Sequence, residues 1–221
     1  MKICRNLFSI AFFLLFLSGS TGKAQSRQDP MAEKILNELG KRYKKLPGFK
    51  AEFIRESQNN QGETQGQSRG NILVSGSRYR LKTGTTTLFC DGKTVWTADS
   101  KVKEISIADY SPEPDDITPE RVYTFYQKGF KYLFVGEVKV GNSVWQTIDL
   151  EPENIQKEIS KIRLFIDRKS LEIKKWIVFE RGSNDREEFI VQKFTRLQNK
   201  PGKEIQFDKN EFPGYRLVDL R

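Results

Sequence analysis

The chain has 221 residues, a formal charge of +9, 37% hydrophobic residues and no histidine. The missing histidine removes the commonest general base, the commonest metal ligand and every Ser-His or Cys-His nucleophile pair. Its basic residues are spread without a block of five or six like charges, which gives no footprint for a nucleic-acid partner.

The N-terminus reads as an export signal. Lys2 and Arg5 precede an apolar run over residues 7–17, and Gly22-Lys23-Ala24 supplies a small-x-Ala ending. That run is too short to cross a bilayer, which takes about 20 residues. Cleavage after Ala24 is expected to leave residues 25–221 as a single soluble periplasmic domain. Without Lys2, Arg5 and Lys23 the charge of +9 falls to about +6, consistent with an ordinary solvated surface. Cys4 leaves with the leader. A lipid-anchored protein would need a cysteine just after the apolar run, where this chain has Ser18-Gly19-Ser20. Cys90 therefore remains alone, without a disulfide partner or a cysteine metal cluster. Within Thr87-Leu88-Phe89-Cys90 it reads as a small inert hydrophobe.

Asp29-Pro30 opens the first element with a capping carboxylate and a proline at the first helical position. Met31, Ile35, Leu39 and Tyr43 then recur every four residues, with Leu36 and Leu46 nearby, predicting an amphipathic helix over 30–45 that Pro47-Gly48 closes. The period next switches to two. Phe49, Ala51 and Phe53 alternate with Lys50, Glu52 and Ile54, a strand with one apolar face. The polar stretch 58–67 reads as a long hairpin loop. Strands are predicted over 70–75, 78–82, 86–90 and 93–98, the last pair joined by Asp91-Gly92, a strong hairpin signal. Another strand over 102–108 precedes the breaker-rich Ser111-Pro112-Glu113-Pro114-Asp115-Asp116. Thr118-Pro119 repeats the cap-plus-proline start, predicting a short helix with Val122, Phe125 and Tyr126 on its apolar face and Gly129 at its end. Strands follow over 131–140, 144–150, 159–167, 172–181, 187–197 and 204–207. There is no βαβ alternation and no internal repeat.

The expected fold is mainly β: a single curved antiparallel sheet forming an unclosed β-barrel, its concave side covered by short helices. Sixteen phenylalanines, seven tyrosines and three tryptophans, four of the phenylalanines in the leader, are a rich aromatic supply for a core or an apolar cavity. Carboxylate chemistry would have to come from Asp115-Asp116, Glu151 with Glu153, or Glu187-Glu188. Each pair stands in a breaker or turn context that suits solvated acids, so no catalytic residue, metal site or cofactor is assigned. The chain reads as a protein that binds rather than reacts.

Asp91-Gly92-Lys93-Thr94-Val95-Trp96 resembles the outer-membrane lipoprotein carrier family (LolA-like), in which an Asp-Gly turn is followed by lysine and then tryptophan. Around it fall Phe49-x-Ala51-x-Phe53 after the first helix, the glycine-led strand Gly70-Asn71-Ile72-Leu73-Val74, Thr118-Pro119 at the middle helix, Ile205-Gln206-Phe207 and the closing Val218-Asp219. The resemblance spans nearly all of residues 25–221 in order. It implies a half-barrel with a helical lid over a hydrophobic cavity for lipoprotein acyl chains. Its implied partners are an inner-membrane ATP-driven release complex and an outer-membrane receptor or the outer membrane itself, with the carrier acting as a monomer. One departure concerns the lid. Many members place an Arg-Pro pair before the third strand, whereas this chain has Ser75-Gly76-Ser77, with Arg78 displaced and Tyr79 in the neighbouring aromatic position. Cavity and lid residues are expected at Leu39, Phe53, Leu73, Tyr79, Phe89, Trp96, Val122 and Phe125. A periplasmic lipid- or lipoprotein-sensing domain of the same architecture is the alternative.

Overall fold

The computed structural model describes residues 28–113, 116–183 and 185–221; the leader expected over 1–24 lies outside them. Helix α1 runs Pro30–Lys44. The Asp29 carboxylate accepts from the Met31 and Ala32 amides at 2.8 and 3.1 Å, which satisfies two of the orphan N–H groups of the first turn. Lys41, Arg42 and Lys44 stand in the last turn, where cations complement the helix dipole. Ala32, Ile35, Leu36, Leu39 and Tyr43 form the buried stripe, while Met31 faces solvent.

The strands are β1 Phe49–Gln58, β2 Thr64–Ser75, β3 Arg78–Thr83, β4 Thr86–Cys90, β5 Thr94–Asp99, β6 Glu104–Asp109, β7 Phe130–Val140, β8 Ser143–Pro152, β9 Ile159–Asp167, β10 Ile173–Glu180, β11 Arg186–Arg196 and β12 Arg216–Asp219. They form one sheet in the order β12-β6-β5-β4-β3-β2-β1-β11-β10-β9-β8-β7, curved but unclosed. Two meanders, β1–β6 and β7–β11, are joined where β1 pairs with β11. The edge of β7 is partly covered. Asp29 N donates to Tyr132 O, Gln28 Nε2 to Phe130 O, Tyr132 N to Gln28 Oε1 and Phe134 N to the Asp29 carboxylate. A register shift between Phe134 and Gly136 follows.

Four local expectations are corrected. The polar loop shrinks to residues 59–63, because the β1–β2 hairpin continues to Gln58 and Thr64; solvent-exposed arms need no apolar face to pair their backbones. The strand predicted from 102 begins at Glu104, after a turn with Lys103 at φ 51°. The second helix is a run of turns over 119–124 and a single 3-10 turn, Phe125–Gln127. A segment this short gains too few bonds to offset helix nucleation, and its aromatics are indifferent helix formers. Lastly, the strand predicted at 204–207 is a 3-10 turn, Lys203–Ile205, within a strap crossing the convex face. Both meanders are antiparallel throughout, and the closing strand β12 adds the sheet's parallel pair, against β6.

Cross-strand register defines the two faces. Phe49, Ala51 and Phe53 share the concave face with Ile72, Val74, Tyr79 and Leu81. Over β7–β9 that face carries Phe130, Ile148, Leu150, Ile162 and Leu164, which pack with the stripe of α1 into the main core. The convex face of β8–β11 is charged. Arg163 forks onto Asp149 at 2.6 and 2.8 Å, and Lys175 meets Glu188 at 3.2 Å. Over β1–β5 the convex face is instead clad by the strap. Lys50 pairs with Glu204 at 3.0 Å and Arg80 with Glu211 at 2.8 Å. Phe207 stacks on Trp96 with centroids 5.2 Å apart, and Phe212 meets Phe89 edge-on.

Gly70 faces Phe53 across the β1–β2 pair, and the Phe53 ring lies over it. A Cβ at Gly70 would fall 2.2 Å from the ring. Gly70→Ala is therefore expected to displace Phe53 and destabilise the fold by about 1–3 kcal/mol, read as a lower denaturation midpoint with unchanged slope.

Candidate functional site

The concave face is not filled along its whole width. Between the two meanders lies an apolar cavity of about 330 Å³. Its walls come from Phe49, Ala51 and Phe53 of β1, Ile72 of β2, Leu81 of β3, Ile159 of β9, Ile173, Trp176 and Val178 of β10, and Phe189, Val191 and Phe194 of β11. The roof is Ile117, Thr118, Pro119, Val122 and Tyr123. Trp176 lies flat on Phe189 at 4.8 Å. The register shift in the β1–β11 pair puts Phe53 opposite Val191 and Ala51 opposite Phe194, so Val191 and Phe194, three residues apart, both face inward. A larger hollow, about 730 Å³, opens on the convex face, but Lys50, Glu52, Arg69, Arg80, Lys82 and Glu204 line it. Charged walls of that kind would have to be desolvated to hold a hydrocarbon chain, so the smaller cavity is the candidate site.

Contacts with α1 and β7 hold the roof. Tyr123 stacks on Tyr43, Phe125 meets Phe130 edge-on at 5.1 Å, and the buried Tyr126 hydroxyl donates to Leu36 O at 2.6 Å. Burial pushes the Tyr123 hydroxyl well above the ordinary tyrosine range, which keeps it neutral. Where the roof joins the sheet, the Glu120 carboxylate accepts from the Tyr110 hydroxyl and, at 2.6 Å, from the Thr118 hydroxyl. Tyr110 is itself pushed up, by burial first and by its bond to Glu120 second.

Of the residues expected at the cavity, Phe53 and Val122 line it. Leu39, Tyr79 and Phe125 are buried in the packed core beside it. Leu73, Phe89 and Trp96 share the convex face, as the β2–β3–β4–β5 register requires, with Phe89 and Trp96 under the strap. Not foreseen was the far wall, Trp176, Val178, Phe189, Val191 and Phe194. The alternations Trp176-x-Val178 and Phe189-x-Val191 carried that signal.

At the turn before β3, Gly76 has φ +61°, a backbone region that strains any side chain with a Cβ. Ser75 is buried with its hydroxyl on Pro47 O at 2.7 Å. An arginine at either position of this turn would meet strain or burial. Among the carboxylate pairs, Glu187 bonds Arg55 and Glu188 bonds Lys175. Glu151 and Glu153 are exposed. Asp116 pairs with Lys157, and Asp115 lies outside the described residues. Burial pushes the Cys90 thiol up, which disfavours the reactive thiolate.

Gly40 lets the roof approach α1. A Cβ there would stand 2.9 Å from the Tyr126 hydroxyl and 3.1 Å from Tyr123 O. Gly40→Val should therefore lift the roof. Amides 119–127 are expected to exchange with solvent at least tenfold faster, while those of β8 and β9 keep their protection.

The model of "Outer membrane lipoprotein carrier protein LolA" matches residues 44–208. No curated protein matches the sequence. Among solved structures, an uncharacterized conserved protein from Thermus thermophilus superposes with a TM-score of 0.59 at 11% identity, over 86% of this chain and 99% of that one. A LolA superfamily protein from Nitrosomonas europaea gives 0.43 at 10% identity, over 80% and 98%. The MucA/MucB complex of Pseudomonas aeruginosa gives 0.49 at 16%, over 80% and 61%.

Proposed function

We propose that this chain, which belongs to the outer membrane lipoprotein carrier family, is a soluble periplasmic carrier that shields lipoprotein acyl chains on their way to the outer membrane. The observation that carries this reading is the apolar cavity of about 330 Å³ under a roof seated on α1. Its lining is almost wholly hydrocarbon and aromatic, as a buried alkyl chain demands. As closed, the cavity sits at the low end of the range for small-ligand sites, about 300–1,000 Å³. A two- or three-chain anchor therefore requires the roof to move outward.

The energetics divide the labour. Each methylene leaving a bilayer costs about 0.8 kcal/mol, so extraction of two or three chains costs tens of kcal/mol. A greasy cavity offsets most of that loss but performs no work. In this reading, an ATP-driven complex in the inner membrane supplies extraction, and an outer-membrane receptor or the membrane itself takes the cargo back. The mature chain is expected to begin at Gln25 with no acyl modification, so the intact mass of the exported protein should equal that of residues 25–221. An added diacylglyceryl mass would contradict a soluble carrier.

Ala51 is the smallest side chain in the cavity wall, so Ala51→Phe fills space without adding charge. The purified protein should bind a hydrophobic fluorescent probe that palmitate displaces, and Ala51→Phe should weaken that binding at least tenfold with the thermal midpoint held within a few degrees. Equal probe binding by both proteins would remove the cavity from the mechanism.

A further inference from the structure

The Glu120 side chain is only 8% exposed, and its two oxygens are treated differently. Oε1 accepts from Tyr110 and Thr118, with Arg121 Nε 3.7 Å away. Oε2 is fully buried and has no hydrogen-bond partner among the described residues. A carboxylate offers about four acceptor sites, and one left unpaired away from water is costly. The nearby cations do not supply the missing donor. The Arg121 guanidinium donates to Glu113 O at 2.7 Å, and Lys44, at the rim, is exposed. Glu120 also borders a second hollow of about 210 Å³ between α1, the roof and the turn at Gly76. That hollow shares two of its walls, Phe49 and Tyr123, with the apolar cavity. The Phe49 and Tyr123 rings, packed edge-on at 5.3 Å, stand between the two hollows, and Oε2 is sealed from solvent, so this half-satisfied carboxylate is reached only when the roof that carries Tyr123 and Glu120 moves outward.

We infer that Glu120 receives the primary ammonium group of an amphiphile whose alkyl chain occupies the apolar cavity. The inference rests on the acyl-chain reading above and adds the class of head group. An ammonium brings three donors and the opposite charge. A hydroxyl brings one neutral donor, and a carboxylate brings like charge. Two natural sources carry this chemistry beside acyl chains: the free α-ammonium of a lipoprotein whose N-terminal cysteine is not N-acylated, and an ethanolamine phospholipid head group.

The test is competition against a bound hydrophobic fluorescent probe at neutral pH by dodecylamine, dodecanol and dodecanoate. Dodecylamine should compete at least tenfold more strongly than either of the others, and Glu120→Gln should abolish that preference while leaving dodecanol unchanged. Equal competition by all three in the wild-type protein overturns the inference and leaves the cavity standing, as does an amine preference that survives in Glu120→Gln. If none of the three competes, the cavity reading fails and the inference with it. The wild-type ratio decides even if Glu120→Gln does not fold. A diacylglyceryl-cysteinyl peptide with a free or acetylated N-terminus, set beside lysophosphatidylethanolamine and lysophosphatidylglycerol, identifies the source. Loss of affinity on acetylation assigns the lipoprotein terminus, and a preference confined to the ethanolamine lipid assigns the phospholipid.

Discussion

The stripe Ala32, Ile35, Leu36, Leu39 and Tyr43 must bury itself against the concave side of a sheet far wider than a helix. Twelve strands spaced about 4.8 Å apart present several times the width that one helix, about 10–12 Å across with side chains, can cover. Helix α1 settles over β7–β9, where Ile148, Leu150, Ile162 and Leu164 complete the core. The trough near β1, β10 and β11 is left with a roof but no filling. The cavity is thus what remains when one amphipathic helix is given too much sheet, and Gly40, Tyr123 and Tyr126 fix how tightly the roof closes over it.

Much of this was legible in the sequence, because period-two alternation and the Asp91-Gly92 turn are local signals that tertiary structure had no reason to overrule. The capped helix at Asp29-Pro30 was legible for the same reason. Face assignment was not. Alternation divides a strand's residues into two sets without saying which set faces the trough, and here both faces of β2–β5 bury apolar residues. Leu73, Phe89 and Trp96 looked as much like cavity residues as Phe53 did, because nothing local announces that Ile205, Phe207 and Phe212 will return from the far end of the chain to clad the convex side. The apolar spacing of Ile205 and Phe207 suggested a strand for the same reason.

The roof shows a different limit. Thr118-Pro119 carries a helix-start signal, yet Tyr123, Phe125 and Tyr126 are held by partners on α1 and β7 rather than by their own backbone ladder. The burial of Glu120 was equally invisible, since an acid two residues past a threonine reads as part of a capping turn. Roof closure here depends mainly on aromatic contact and on a handful of hydrogen bonds from two tyrosines and a threonine. Such contacts form and release in small steps.

The open edges of the sheet carry a consequence of their own. An unclosed barrel keeps two free strand edges, and such edges template the stacking of further chains into cross-β assemblies. Gln28 and Asp29 occupy the outward N–H and C=O groups of Phe130, Tyr132 and Phe134. Beyond them the bulge at Gly136 and the charges of Glu137 and Lys139 spoil the remaining edge. At the opposite side β12 spans only four residues, opening on Arg216 and followed by Arg221. Free edges beside an apolar interior carry a standing risk of aggregation, and these few residues let the sheet stay unclosed without becoming a seed for fibres.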